Sequence, residues 1–130
     1  MKAISIQQPF ATLIAEGLKK YEFRTWKTDY RGELLIHASK SVDRKAMKKF
    51  ESYGLEFPAG VIIAKVRVTD CVEVTDELVR ELQKQEPVVY SGVDDGPDWK
   101  GYGFKLEEVT KLEPIAVNGS LGLWEYTEFE

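Results

Sequence analysis

The stretch from Gly60 to Val68 constrains the fold of this chain most strongly. It begins with the apolar run Val61-Ile62-Ile63-Ala64 and continues as Lys65-Val66-Arg67-Val68, in which charged and apolar residues alternate. A short β-branched run after a glycine is typical of a buried strand, whereas alternation is typical of a strand with one face in solvent. We therefore predict a strand that begins at the centre of a sheet and leaves the core along its length.

Shorter patterns predict further strands and short helices. Pro9 suits a first helical turn and Gly17 a helix stop, and Ser41, Val42 and Asp43 offer caps for a second, basic helix. The predicted helices run from Pro9 to about Glu16 (core residues Ala11, Leu13 and Ile14), from Arg44 to Phe50 (apolar stripe Met47, Phe50 and Tyr53) and from Thr75 to Glu86. The predicted strands are Lys2 to Gln7, Glu33 to Ala38, Gly101 to Leu106, about Val109 to Pro114 and Leu121 to Tyr126, and residues 91–97 read as a turn-rich loop.

Length and composition predict one soluble domain over residues 1–130. Hydrophobic residues make up 43% of the 130 residues and charged residues 31%, which is typical of a globular domain that buries its own core. The chain has no apolar stretch long enough to span a bilayer and no signal-peptide pattern at its N-terminus, so we expect a cytoplasmic protein without a membrane partner. Cys71 is its single cysteine and His37 its single histidine, so we expect neither a metal site nor a cofactor.

Charge is distributed unevenly along the chain. The net charge is -4, yet residues 19–49 hold ten Lys and Arg against four Asp and Glu, whereas residues 70–98 hold two against nine. A basic segment can attract phosphates on an acidic protein, because the local field near a cleft matters more than the total charge. Lys45, Lys48 and Lys49 are therefore candidates to bind nucleic acid. A solvated, salt-paired surface is the alternative.

The run from Gly17 to Trp26 gives the best indication of function. In an extended backbone, Glu22 and Arg24 emerge on one face while Tyr21 and Phe23 emerge on the other. A strand that anchors its aromatic face in the core and turns an acid and a base into a cleft suits recognition of a polar, planar ligand. The alternative is an ion pair on a solvated strand, which would contribute little to stability.

Four segments, in order, resemble the ASCH domain (activating-signal-cointegrator homology), a member of the PUA-like superfamily. They are Ser5-Ile6-Gln7-Gln8-Pro9-Phe10-Ala11, Gly17-x-Lys19-x-x-Glu22-x-Arg24-Thr25-Trp26, Tyr30-Arg31-Gly32-Glu33-Leu34-Leu35-Ile36-His37-Ala38-Ser39 and Gly60-Val61-Ile62-Ile63-Ala64. The resemblance implies an α+β fold, a PUA-like pseudo-barrel of mixed strands with flanking short helices. It also implies that Gln8, Lys19, Glu22 and Arg24 converge at one mouth of the barrel.

The chemistry of these groups suits a nucleotide or single-stranded RNA. Arg24 can grip a phosphate or a base edge, Lys19 can supply a point charge, and Glu22 can accept from an exocyclic amine. Trp26 and Tyr30 are candidates to stack on a base, although a half-buried core role for Trp26 is the alternative. We expect Trp124 and His37 to belong to the core, and Trp99 is a weaker stacking candidate.

Two classes of function stay open. One is a module that binds RNA or a modified nucleoside, favoured by the basic segment and by the lack of a recognisable nucleophile, base and orienting group. The other is a hydrolase, because some relatives of the ASCH domain are amidohydrolases of N(4)-acetylcytidine and others have been proposed as ribonucleases. Glu22 stands where those amidohydrolases have a threonine, so the enzymatic alternative is a Lys19 and Glu22 acid-base pair. A third reading is a protein interaction through the acidic helix 75–86.

Overall fold

The computed structural model of the chain describes residues 1–92 and 101–127. In chain order, its elements are β1 Lys2–Gln8, α1 Phe10–Ala15, β2 Tyr21–Arg24, β3 Gly32–Val42, α2 Arg44–Lys49, a 3₁₀ turn Glu51–Tyr53, β4 Val61–Glu73, α3 Asp76–Gln85, β5 Tyr102–Ala116 and β6 Leu123–Glu125. None of the helices in the described ranges is both long and apolar enough to cross a membrane. Trp99 and most of the predicted loop 91–97 lie outside the described residues.

The six strands form one mixed sheet in the order β2-β5-β4-β3-β1-β6. β1 runs parallel to β3, and all other neighbours are antiparallel. Although β2 lies at one end of this order and β1 near the other, Arg24 Nη2 of β2 donates to the Ser5 carbonyl oxygen of β1 over 2.9 Å. The sheet therefore curves until its ends approach each other. This confirms the predicted α+β class with short flanking helices, and the curvature agrees with a PUA-like pseudo-barrel.

The largest of the three apolar clusters among the described residues packs α1 against the curved sheet, and two smaller clusters lie around Leu13 and around Leu35. β4 begins as predicted in the centre, since Ile62 and Ala64 are fully buried and Val66 and Val68 nearly so. Five consecutive residues of α1 are buried, from Ala11 to Ala15. A helix this short has little intrinsic stability, so its apolar contacts with the sheet hold it in place.

Several predicted boundaries are corrected. Pro9 caps α1 instead of forming its first turn. The two late strands predicted within residues 101–114 are one strand, β5, because irregular pairing with β4 and a positive φ of 53° at Glu108 interrupt the alternation without ending the ladder. β6 begins at Leu123 instead of Leu121, since Gly122 adopts a left-handed φ of 63° just before it.

The predicted apolar stripe of α2 is only partly right. Phe50 is buried as expected, but Tyr53 is 39% exposed, and the second buried residue is Ala46 instead of Met47. The reason is that α2 ends at Lys49 and a 3₁₀ turn follows, so the helical spacing assumed for Tyr53 does not continue. Asp43 is the cap, as its side chain accepts from the Ala46 amide.

Candidate functional site

The end of α1 places Lys19 inside the barrel mouth. Gly17 adopts a φ of 76°, which reverses the chain after the helix. The amides of Leu18 and Lys19 then both donate to the Leu13 carbonyl oxygen, which ties the following segment to the helix. β2 starts two residues later and pairs with β5, Glu22 lying opposite Phe104.

Lys19, Glu22 and Arg24 form one charged cluster. Glu22 Oε1 lies 3.4 Å from Lys19 Nζ, and Glu22 Oε2 lies 2.8 Å from Arg24 Nη2. Lys19 Nζ also donates to the Tyr21 carbonyl oxygen. The side chains of Lys19 and Glu22 are 5% and 10% exposed, whereas that of Arg24 is 24% exposed. Glu22 thus bridges an interior cation and a cation that reaches the surface.

Burial determines the electrostatics of Lys19. Loss of solvent lowers the pKa of its ammonium group below the ordinary value of 10.5, and the neighbouring Glu22 carboxylate partly offsets that effect. The ammonium also lies 4.7 Å from the centre of the Phe23 ring and 5.9 Å from that of Phe10. Both ring faces favour a nearby cation, so Lys19 is held by charge, by hydrogen bonding and by aromatic contacts.

This cluster opens into a cavity of about 550 Å³, here called the first cavity. Ligand sites of small molecules and cofactors span about 300–1,000 Å³. The lining includes four cationic side chains, Lys19, Arg24, Lys45 and Lys49, against two carboxylates, Glu22 and Asp43. The first cavity is therefore locally basic on a chain whose net charge is -4.

The mouth of the first cavity lies between α2 and the segment after α3. Lys45 has no ion-pair or hydrogen-bond partner for its ammonium group among residues 1–92 and 101–127, whereas Lys49 Nζ donates to Ser91 Oγ over 2.9 Å. Val88, Val89 and Gly92 complete the facing wall. Lys49 thus links the two walls of the mouth.

Three predicted ligand residues do not line the first cavity. Gln8 is fully buried; its amide nitrogen donates to Thr12 Oγ1 and the Pro58 carbonyl oxygen, and its amide oxygen accepts from the Thr12 amide. Trp26 packs on the core, edge to face with Phe104 at 5.2 Å between ring centres. Lys48 is on the outer side of α2. Tyr30, the other stacking candidate, also packs against the core.

The sequence patterns did not predict a second polar cluster, which the structure contains. Ser5 Oγ lies 2.9 Å from His37 Nδ1, and His37 Nε2 lies 2.8 Å from the Val117 carbonyl oxygen. Because a carbonyl oxygen only accepts, Nε2 carries a proton, and in the neutral ring Nδ1 accepts from the Ser5 hydroxyl. Trp124 Nε1 donates to the same Ser5 oxygen over 3.1 Å. His37 is thus a hydrogen-bonded interior histidine, as predicted, and the pairing of Ser5 on β1 with His37 on β3 brings the two side chains together.

No group of three or more His, Cys, Asp and Glu side chains that could hold a metal ion occurs among the residues that the structure describes. Cys71 is a free thiol at intermediate burial. The charged cluster of the first cavity is one concentration of polar groups, and the Ser5 and His37 pair is another.

Comparisons with known proteins agree with this architecture. The family model of the ASCH domain matches residues 4–116. Human activating signal cointegrator 1 is 30% identical over 81 residues, which cover 53% of this chain and 14% of that protein. The mouse protein of the same name is 27% identical over 96 residues, covering 65% of this chain and 16% of that protein. The chain thus spans only a small part of the curated relatives it matches.

Solved structures extend the likeness to the fold. The crystal structure of ASCH from Zymomonas mobilis superposes with a TM-score of 0.57 at 19% identity and covers 88% of this chain and 72% of that one. A mutant form of the same protein gives a TM-score of 0.55 at 19% identity, covering 88% of this chain and 74% of that one. At this identity the likeness concerns the fold alone.

Proposed function

Because this chain belongs to the ASCH domain family, we propose that it is an RNA-binding domain whose first cavity receives a base or a modified nucleoside. The observation that carries the proposal is the buried Glu22 carboxylate between Lys19 and Arg24, at the floor of a basic cavity large enough for a nucleotide. Fixed donors and acceptors of this kind convert hydrogen bonds into specificity.

Each group has a role that its chemistry supports. A carboxylate has about four lone-pair sites, so Glu22 can accept from an exocyclic amine of a base while it still binds both cations. Arg24 bonds Glu22 and Ser5 through Nε and Nη2, so the N–H groups of Nη1 are the ones it offers to a base edge or phosphate. Lys45 lines the mouth, where its positive charge can attract a phosphate of the backbone.

Aromatic stacking is assigned to different residues from those predicted. Phe10 and Phe23 line the first cavity and are partly exposed, whereas Trp26 does not line it. Every base offers a π-face, so a phenylalanine at the wall supports binding without reading sequence. We therefore propose Phe10 for the stacking contact, because the Phe23 ring already contacts the Lys19 ammonium, Tyr21 and Tyr90.

Replacement of Arg24 tests the proposal directly. Arg24→Ala removes a charge-assisted contact and should reduce the affinity for short single-stranded RNA by about ten- to a hundredfold, or about 1–3 kcal/mol. The measurement is fluorescence polarisation at fixed salt, with Arg80→Ala on α3 as the matched control because Arg80 is exposed and does not line the cavity. Equal affinity of wild type and Arg24→Ala would remove the first cavity from the binding surface.

A hydrolase acting on RNA or an acylated nucleoside is the second candidate. It is favoured by one observation, the buried Lys19 whose pKa is lowered beside the Glu22 carboxylate, since such pairs suit acid-base chemistry. Product formation and affinity are measured on one ligand for wild type, Glu22→Gln and Lys19→Ala. An enzyme loses turnover in Glu22→Gln while binding persists, whereas a binding module shows no turnover in any of the three and only an altered ligand preference.

A further inference from the structure

A second cavity of about 420 Å³ lies on the other side of Ser5. His37 and Ser5 are part of its lining, and Lys40, Asn118, Ser120 and Leu121 lie at its exposed rim. The rim combines an ammonium group, an amide and a hydroxyl with an apolar side chain. No carboxylate is among the described residues that line it.

The two cavities share part of their lining. Ser5 and Ser39 line both of them, so these two residues form the boundary. The Ser5 carbonyl oxygen accepts from Arg24 of the first cavity, while its hydroxyl is bonded to His37 in the second. A chain that leaves the first cavity across Ser39 therefore arrives beside the next residue of β3, Lys40.

Hydrogen bonding at the floor differs from that at the rim. The Ser5 and His37 side chains are already satisfied within the protein, which leaves them without a free donor for a ligand. The side chains of Lys40, Asn118 and Ser120, in contrast, make no hydrogen bond or ion pair with any other part of the chain that the structure describes. The rim therefore holds the groups that a ligand can use.

Leu121 adds an apolar surface to this rim. It is 97% exposed, while the other exposed large apolar side chains of the described ranges reach at most 41%. It lies on the segment between β5 and β6. Gly119 of this segment packs closely against Ser5, since a Cβ atom added at Gly119 would lie 2.2 Å from Ser5 Oγ. The position of Leu121 is thus tied to the boundary between the cavities.

We propose that the second cavity receives the adjacent nucleotide of a single-stranded RNA whose first base occupies the first cavity. Lys40 contacts the phosphate between or beyond the two nucleotides, Asn118 and Ser120 contact a base edge or 2′-hydroxyl, and Leu121 covers a base face. This inference rests on the proposed function and extends it from a single-nucleotide site to a two-nucleotide path.

The test measures affinity against ligand length. The probes are cytidine and adenosine 5′-monophosphates, the corresponding 5′-phosphorylated dinucleotides and the tetranucleotides, each competing with a fluorescein-labelled RNA. The proteins are wild type, Lys40→Gln, Leu121→Ser and the control Lys48→Gln, a lysine of the same basic segment that lines neither cavity. Leu121 and Lys40 are exposed, so their replacement leaves the core intact.

Wild type is expected to gain about tenfold or more in affinity from mononucleotide to dinucleotide, the size of one charge-assisted contact. Lys40→Gln and Leu121→Ser should lose most of this gain while binding the mononucleotides as wild type does, and Lys40→Gln should lower the salt dependence by about one phosphate contact. Lys48→Gln should behave as wild type.

Failure of this inference is distinguishable from failure of the proposed function. The second cavity is not a nucleotide site if both rim variants bind ligands of every length with wild-type affinity, or if they weaken mononucleotide and dinucleotide binding by the same factor. The proposal for the first cavity survives either result. If wild type binds none of these ligands, the proposed function is wrong and the two-nucleotide path is wrong with it.

Discussion

Neutralising Glu22 is the most informative single change, because its carboxylate holds two cations. In Glu22→Gln the side chain keeps its shape but no longer balances the charge of Lys19, whose side chain is 5% exposed. A buried charge without its partner is strongly unfavourable, since its desolvation is no longer compensated. The free energy of unfolding should therefore fall.

The structure sets the size of this fall. Removing one partner of a fully buried pair costs about 3–5 kcal/mol. Here Lys19 keeps the Tyr21 carbonyl oxygen and the Phe23 ring face, and Arg24 is screened by solvent at 24% exposure. We therefore expect about 2–3 kcal/mol, below the range for a fully buried pair.

Urea unfolding at neutral pH measures this loss, with Lys19→Met/Glu22→Gln as the matched control. With a slope of about 1–3 kcal/mol/M, the midpoint for Glu22→Gln should move by about 0.7–3 M. The double variant carries no buried ammonium, so it should be more stable than Glu22→Gln alone.

The pH dependence gives a second readout of the same charge. Burial lowers the pKa of Lys19, so between its folded pKa and the ordinary value of 10.5 the unfolded chain binds the extra proton. Stability from this group therefore increases as pH rises through that window, and the increase should be larger in Glu22→Gln than in wild type. It should be absent in the double variant. Unchanged stability of Glu22→Gln, or a double variant less stable than Glu22→Gln, would refute the reasoning.

Charge reversal on α2 separates lysines that line the first cavity from one that does not. The double variant Lys45→Glu/Lys49→Glu should weaken RNA binding at low salt by about tenfold or more, whereas Lys48→Glu should have a much smaller effect. Reversal of acidic residues on α3 should not weaken binding. Equal losses of affinity for each of the three lysines would indicate that the general positive field of the helix attracts the RNA, instead of the lysines that line the cavity. Gly119→Ala should lower the free energy of unfolding by about 1–3 kcal/mol, because its methyl group would overlap the Ser5 hydroxyl. Thermal unfolding measures this effect, and an unchanged midpoint would contradict the close approach of Gly119 to β1.

The charged cluster was predictable because the spacing is local. A two-residue period on an extended strand puts Glu22 and Arg24 on one face whatever the rest of the fold does, and the two side chains do form an ion pair. That Lys19 joins these two side chains was predicted only from the resemblance to the ASCH domain. The length of the central strand was harder to predict, since β4 continues to Glu73 through irregular pairings that sequence alternation does not reveal.

Other parts of the site depend on partners that are distant along the chain. Gln8 was expected in the cleft, but the Pro58 carbonyl oxygen and Thr12 satisfy its amide in the interior. The wall that includes Val89 comes from the segment after α3, which no local pattern connects to β2. The Ser5 and His37 pair follows from the register of two parallel strands, and a single sequence does not specify that register.

The hydrogen bond between Arg24 and Ser5 has a consequence for folding kinetics. It joins opposite ends of the sheet, yet the two residues are only 19 positions apart along the chain. The nearest paired residues of β4 and β5, Glu73 and Tyr102, are 29 positions apart, so closing the shorter loop loses about 0.4 kcal/mol less chain entropy. Contacts at the mouth of the barrel can therefore form at lower entropic cost than the long central ladder. The backbone hydrogen bonds of β2 are completed only later, when β5 pairs with it.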